Sequence, residues 1–251
     1  MSKIHDVYDY INTFAPFNLQ QEWDNSDLII GDMENDVSKI LVCLDITDKA
    51  VSVAVKNKVN LIISHHPLIM NGAKFIGLNS AIAKLIKNNI NVISAHTNFD
   101  AANGGMNDIL CDILGIENAK PIDENLGTIP RIGQLKSEIC AKDFAKFVKD
   151  KLGCDVVRLS GGRSVRKIMI CGGGGASYIP QAITLGADLF LLGEAKHHEY
   201  LHANENGLAI LDAGHFYTEN IFTNFMAQKI SKQFSDVEVL TTTENAPYTT
   251  I

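Results

Sequence analysis

Two apolar pentapeptides recur in this chain at one fixed spacing, and that recurrence constrains the fold more than any other feature. Lys39-Ile40-Leu41-Val42-Cys43 is echoed 128 residues later by Lys167-Ile168-Met169-Ile170-Cys171. Val59-Asn60-Leu61-Ile62-Ile63 is matched at the same offset by Ala187-Asp188-Leu189-Phe190-Leu191. A third run of the same type follows in each half, Asn91 to Ala95 and Leu208 to Leu211. Two matches at one offset, each followed by a third strand-like run, indicate an internal duplication. Short apolar runs alternating with helical stretches are the signature of a mostly parallel sheet covered on both faces. The expected fold is therefore α/β, with two duplicated repeats carrying mixed, mostly parallel sheets. The first repeat is placed at residues 1–125 and the second, with a connector, at 126–251.

Local signals fill in this frame. Ile4, Val7, Tyr8, Ile11 and Phe14 have helical spacing and stop before Pro16. Helices are also expected near Asp48 to Lys58, capped by Thr47 or Asp48, near Ser80 to Asn88 and over Asn107 to Leu114. Pro121 to Arg163 differs in character: it reads as a connector with an amphipathic helix, Ala141 to Leu152, and an edge strand over Gly133 to Ser137.

Composition removes several function classes. With 46% hydrophobic and 20% charged residues the chain has the material for a packed core. Its apolar runs are too short to span a bilayer, and its first residues carry no signal-peptide pattern, so a cytoplasmic location without membrane association is expected. The five cysteines are scattered without a CxxC pair, which argues against a disulfide framework or a thiolate zinc site. A net charge of −7 disfavours a nucleic-acid surface.

The residues suited to chemistry follow the buried runs, where open α/β sheets gather ligands. The second run of the first repeat delivers His65 and His66. The third delivers His96, with Asp100 four residues on. In the second half, Asp212-Ala213-Gly214 leads into His215, and Glu219 lies one helical turn later. Adjacent histidines on extended backbone point to opposite faces, so a turn at Pro67 has to redirect one of them. Two imidazole–carboxylate sets of this kind suit a two-metal site with ions about 3.5–4 Å apart. Nitrogen and oxygen donors without thiolate fit zinc, manganese, iron or cobalt alike. The nominated ligands are His65, His66, Asp100, His215 and Glu219, with His96 and His197 as catalytic or outer-sphere candidates. Single histidines such as His5 and His202 are read as ordinary structural residues. The glycine run Cys171 to Gly175 exposes backbone N–H groups, and Gly173 and Gly174 are weak candidates for substrate contact.

Glu22-Trp23-Asp24-Asn25 with Gly31, Ser64-His65-His66-Pro67, His96-Thr97-Asn98-Phe99-Asp100, Arg131-Ile132-Gly133, and Gly214-His215 with Glu219 together resemble the Nif-three-like family, also called GTP cyclohydrolase I type 2 homologues. The likeness runs in family order from about residue 20 to 220. It implies a duplicated α/β fold in its compact form, without the inserted domain of longer members. It further implies two divalent metal ions between the repeats, held by His65, His66, Asp100, His215 and Glu219, and a ring-shaped homohexamer. One departure is Gly193-Glu194-Ala195-Lys196-His197-His198, where an aspartate-led segment is expected; it leaves the part played by Glu194 open. The leading functional expectation is a metal-dependent hydrolase acting through metal-bound hydroxide on a small phosphorylated or nucleotide-like substrate. The alternative is a non-catalytic metal-handling or scaffold protein that forms a ring.

Overall fold

The computed structural model describes residues 1–242 except 124 and 126, together with 245–250. The chain forms two compact units, one of Met1–Ala102 with Asn220–Glu244, the other of Asn103–Glu219 with Asn245–Ile251. This division differs from a single boundary near residue 125, because a helix and a strand from the end of the chain return to the first sheet.

In the first unit, α1 (Ile4–Phe14) buries Ile4, Val7 and Ile11 and stops at Ala15, ahead of Pro16. The sheet has the order β1-β4-β3-β2-β11. Strands β2 (Lys39–Cys43), β3 (Leu61–Ser64) and β4 (Asn91–Ser94) run parallel, as does β11 (Glu238–Thr241) beside β2. The edge strand β1 (Asp27–Ile30) is antiparallel to β4. Helices α2 (Asp48–Lys56) and α3 (Ala81–Lys87) start where Thr47 and Ser80 accept hydrogen bonds from Ala50 N and Ala83 N. With Leu41, Ile62 and Val92 of the strands they enclose a core that includes Val51, Ala54 and Leu85. The short helix α4 (Thr97–Ala101) follows β4 directly, and α10 (Ile221–Gln233) buries Phe222, Met226 and Ile230.

In the second unit, β8 (Ser164–Cys171), β9 (Leu189–Leu192) and β10 (Ala209–Asp212) form the parallel centre of a six-stranded sheet. Its order is β5-β6-β8-β9-β10-β7, with β5 (Glu117–Pro121) and β7 (Arg158–Ser160) at the edges. Helices α5 (Met106–Leu114), α6 (Ala141–Leu152), α7 (Ile179–Thr184), α8 (His197–Glu205) and α9 (His215–Glu219) complete it. The expected edge strand in the connector is corrected here. It is the longer β6 (Arg131–Cys140), paired antiparallel on both sides, to β5 and to β8. Gly133 permits this, since a Cβ there would lie 2.7 Å from Ile116 Cγ2 and 2.8 Å from the Glu117 carbonyl. At its start Arg131 is fully buried, with Nε donating to Asp108 (2.6 Å) and Nη1 to the carbonyls of Thr128 and Ile129. Such pairing is what makes a buried guanidinium tolerable.

The duplication is visible in the hydrogen bonds. Asn60 Oδ1 accepts from the backbone N–H groups of Ser38 and Lys39, and Asp188 Oδ2 accepts from those of Arg166 and Lys167. Each donor and each acceptor of the second set lies 128 residues after its counterpart. Both acceptors stand just before a strand, β3 or β9, and tie its start to the neighbouring strand, β2 or β8.

Candidate metal centre

In the first unit the carboxyl ends of β2, β3 and β4 converge on three histidines. His65 is fully buried, and its Nδ1 lies 2.9 Å from the Ala95 carbonyl. A carbonyl can only accept, so Nδ1 carries the proton and Nε2 the lone pair. His66 places Nδ1 2.8 Å from Asp45 Oδ1, and His96 places Nδ1 2.8 Å from Asp24 Oδ1. All three rings are therefore oriented through Nδ1 in the way that metal-binding imidazoles are oriented by carboxylates and carbonyls around them. One ring nitrogen of each lies within 4.8 Å of the others. The turn after β3 gathers the first two rings, with centroids 5.0 Å apart, and Ser64 Oγ donates to the His66 carbonyl to hold that turn. Asp100, on α4, sets Oδ1 3.5 Å from His65 Nε2.

Asp24 is more than a local partner. Its wholly buried side chain also accepts from Ser26 Oγ, the Thr97 N–H and the Thr97 hydroxyl. Burial alone would raise its pKa, but the hydrogen bond from His96 and the electrostatic pull of that ring, with the Thr97 hydroxyl and the Asn25 N–H, hold the carboxyl well below the usual range. Beside this pair Trp23 stands 59% exposed, its ring edge-on to His96.

In the second unit the pair is built on one turn of α9. His215 Nε2 lies 2.9 Å from Glu219 Oε2, the contact expected for positions four apart on a helix. Thr218 between them accepts from Gly173 N (3.0 Å), docking the turn on the glycine loop. Gly173 has φ +62°, and a Cβ there would sit 2.0 Å from Glu219 Oε1. The loop is thus glycine because a side chain would strike the carboxylate. Gly174 lines a cavity of about 290 Å³ with Ser177, Glu194 and Lys196. Glu194 places Oε1 3.5 Å from His215 Nδ1.

His197 is exposed at the start of α8, and its side chain makes no hydrogen bond or ion pair among the described residues. The tract after Lys196 behaves as a polar helix start, with Glu199 accepting from Lys196 N. Residue patterning missed Asp45, Asp24 and Glu194 as histidine partners. Asp45 was findable, since it follows a buried strand as His65 does. Among the described residues of the first unit, His65, His66 and His96 form a cluster of nitrogen donors that could hold a metal ion. Among the described residues, no helix is long and apolar enough to cross a membrane.

The family model of Duf34/NIF3 (NGG1p interacting factor 3) matches residues 2–247. A protein of Clostridium perfringens called GTP cyclohydrolase 1 type 2 homolog is 36% identical, over 96% of this chain and 97% of its own. A crystal structure of a Staphylococcus aureus hypothetical protein superposes with TM-score 0.89 at 28% identity, covering 99% of both chains. The Bacillus cereus protein related to NIF3 has TM-score 0.92 at 23% identity, covering 100% of this chain and 99% of that one, and shows the shared fold.

Proposed function

The chain belongs to the Duf34/NIF3 family, and on that premise we propose that it is a dinuclear metal protein acting as a metal-dependent hydrolase on a small phosphorylated or nucleotide-like substrate. His65, His66, Asp100, His215 and Glu219 would hold two divalent ions, the ligand set that the family resemblance implies. The observation that carries this reading is the common orientation of His65, His66 and His96, each through Nδ1 on an acceptor. That arrangement leaves Nε2 as the donor atom of each ring, and it suits zinc, manganese, iron or cobalt. Bound ions of this class polarise phosphoryl or carbonyl oxygens and acidify water towards neutrality. The chain's own contribution is orientation: Ala95, Asp45 and Asp24 fix the three rings, and the one-turn spacing of α9 fixes His215 against Glu219.

The test is elemental analysis of the native protein, followed by a phosphoester and nucleotide panel with the loaded enzyme. Two equivalents of metal and a turnover abolished in Asp100→Asn support the reading. Metal bound without turnover across the panel would instead favour storage or metal handling by the same ligands.

We also propose the family's ring-shaped homohexamer for this chain. Support comes from the surface of the first unit, where Phe75 and Leu78 are 86% and 76% exposed. In the same unit Ile29, Ile69, Ile76, Ile82 and Ile86, together with polar residues such as Asp32 and Asn91, line a cavity of about 790 Å³. Apolar surface so concentrated is uncommon on a free monomer. Sedimentation analysis should give a hexamer, reduced to smaller species by Phe75→Asp.

A further inference from the structure

A second cavity of the second unit, about 170 Å³, opens beside His215 and is lined in part by Arg158, Glu194, Asp212 and Tyr248. Its chemistry is set by a buried carboxylate. Asp212, at the carboxyl end of β10, is 3% exposed, and it pairs in register with Arg158 on β7. Oδ1 accepts from Gly214 N (3.1 Å), and Oδ2 accepts from Tyr200 OH (2.8 Å) and Arg158 Nη1 (3.1 Å). Gly214 N and Tyr200 OH hold this carboxylate from the protein side, and Arg158 adds the compensating charge through a single nitrogen. The Arg158 side chain is 68% exposed, and Asp212, with Tyr200 beside it, is its only partner among the described residues. A guanidinium held at one nitrogen by a fixed carboxylate has lost most of its rotational freedom and still offers a planar edge of N–H donors.

We propose that Arg158 is the anion-recognition residue of this cavity, taking a phosphate or carboxylate group of the substrate while the Tyr248 ring walls the remainder. The proposal deepens the hydrolase reading, because the cavity adjoins His215. Two carboxylates line the cavity, Asp212, which is buried and paired with Arg158 itself, and Glu194. Glu194 is 67% exposed and turned towards His215 Nδ1, so water weakens its repulsion without removing it. Recognition therefore depends on the guanidinium fork rather than on net charge, and Tyr248, 47% exposed, favours an anion carried on a ring.

The experiment is a calorimetric titration of the metal-free full-length chain, in chelator, with phenyl phosphate, inorganic phosphate and benzoate in separate runs. Chelation separates this outcome from that of the metal reading, which elemental analysis decides. One saturable site is expected for phenyl phosphate, weakened by about tenfold or more in Arg158→Gln and less in Arg158→Lys, which keeps the charge but not the fork. Tyr248→Ala should weaken the two aromatic anions and leave inorganic phosphate unchanged, and Glu194→Gln should tighten all three. Comparing phenyl phosphate with benzoate tells phosphate from carboxylate. Wild-type binding that is absent, or unchanged in Arg158→Gln, overturns the proposal; if that variant fails to fold, the Arg158→Lys result decides.

Discussion

The two repeats share a backbone and differ in what they place on it. At the carboxyl ends of β2 and β3 stand Asp45, His65 and His66; 128 residues on, at the ends of β8 and β9, stand Gly173, Gly193 and Glu194. The first repeat sends side chains from its strand ends. The second withdraws them, and α9 lays His215 and Glu219 over the glycines instead. A Cβ on Gly193 would meet His215 Cα at 2.8 Å, as one on Gly173 would meet Glu219. Duplication thus preserves the frame, shown by Asn60 and Asp188 capping equivalent strand starts, and frees each copy to supply donors by its own route.

Exchanging the two solutions should hurt one copy far more than the other. Gly173→Asp puts a Cβ on Glu219 and forces a left-handed φ, for an expected loss of about 3 kcal/mol or more in urea unfolding. The reciprocal Asp45→Gly removes an exposed acceptor from His66. It should cost little stability but lower metal affinity roughly 10–100-fold, read by metal titration. Equal stability losses in the two variants would break the comparison.

The histidine supports differ in the same sense, buried Asp24 in one copy and exposed Glu194 in the other. Asp24→Asn should cost about 2 kcal/mol at neutral pH, and Glu194→Gln within about 0.5 kcal/mol. Because the Asp24 carboxyl is held below its unfolded value of about 3.9, its contribution is complete above that pH and is lost as pH falls through the folded value. The gap between wild type and Asp24→Asn should stay flat from about pH 8 to 5 and close in stronger acid. A gap that widens there would contradict this account.

The smallest effect sharpens the likeness rather than the difference. Asn60→Ala and Asp188→Ala each strip backbone N–H groups of an acceptor at a strand start, and each should cost about 1 kcal/mol in thermal unfolding. Costs that diverge widely would mean that the two frames no longer serve the same purpose.

Legibility in the sequence followed the range of the interaction. Buried parallel strands announced themselves as apolar runs, and the strand-end rule led to His65, His66 and His96 because the ligand-gathering edge of such a sheet is a local property. The i, i+4 rule led to the contact of His215 with Glu219 for the same reason. What stayed hidden was set by distant partners. Asp24 lies 72 residues from His96, and no periodicity links them. β5 and β7 are short edge strands with little apolar content, β1 is apolar but only four residues long, and β6 alternates too weakly beyond Gly133 to signal an interior position. The five-residue α4, which carries Asp100, is too short to leave a helical pattern.

The pairing of β11 with β2 has a consequence for biosynthesis. The second unit is drawn mainly from one unbroken stretch, Asn103–Glu219, and that stretch leaves the ribosome whole. The first unit waits for β11, which is translated after that stretch, before its sheet is closed on the β2 side. Until then β2, four of whose five residues are buried in the finished protein, presents an open hydrogen-bonding edge. The unit begun first is therefore closed only after the main stretch of the second has been made, and the nascent chain passes through a window in which β2 is its most exposed edge.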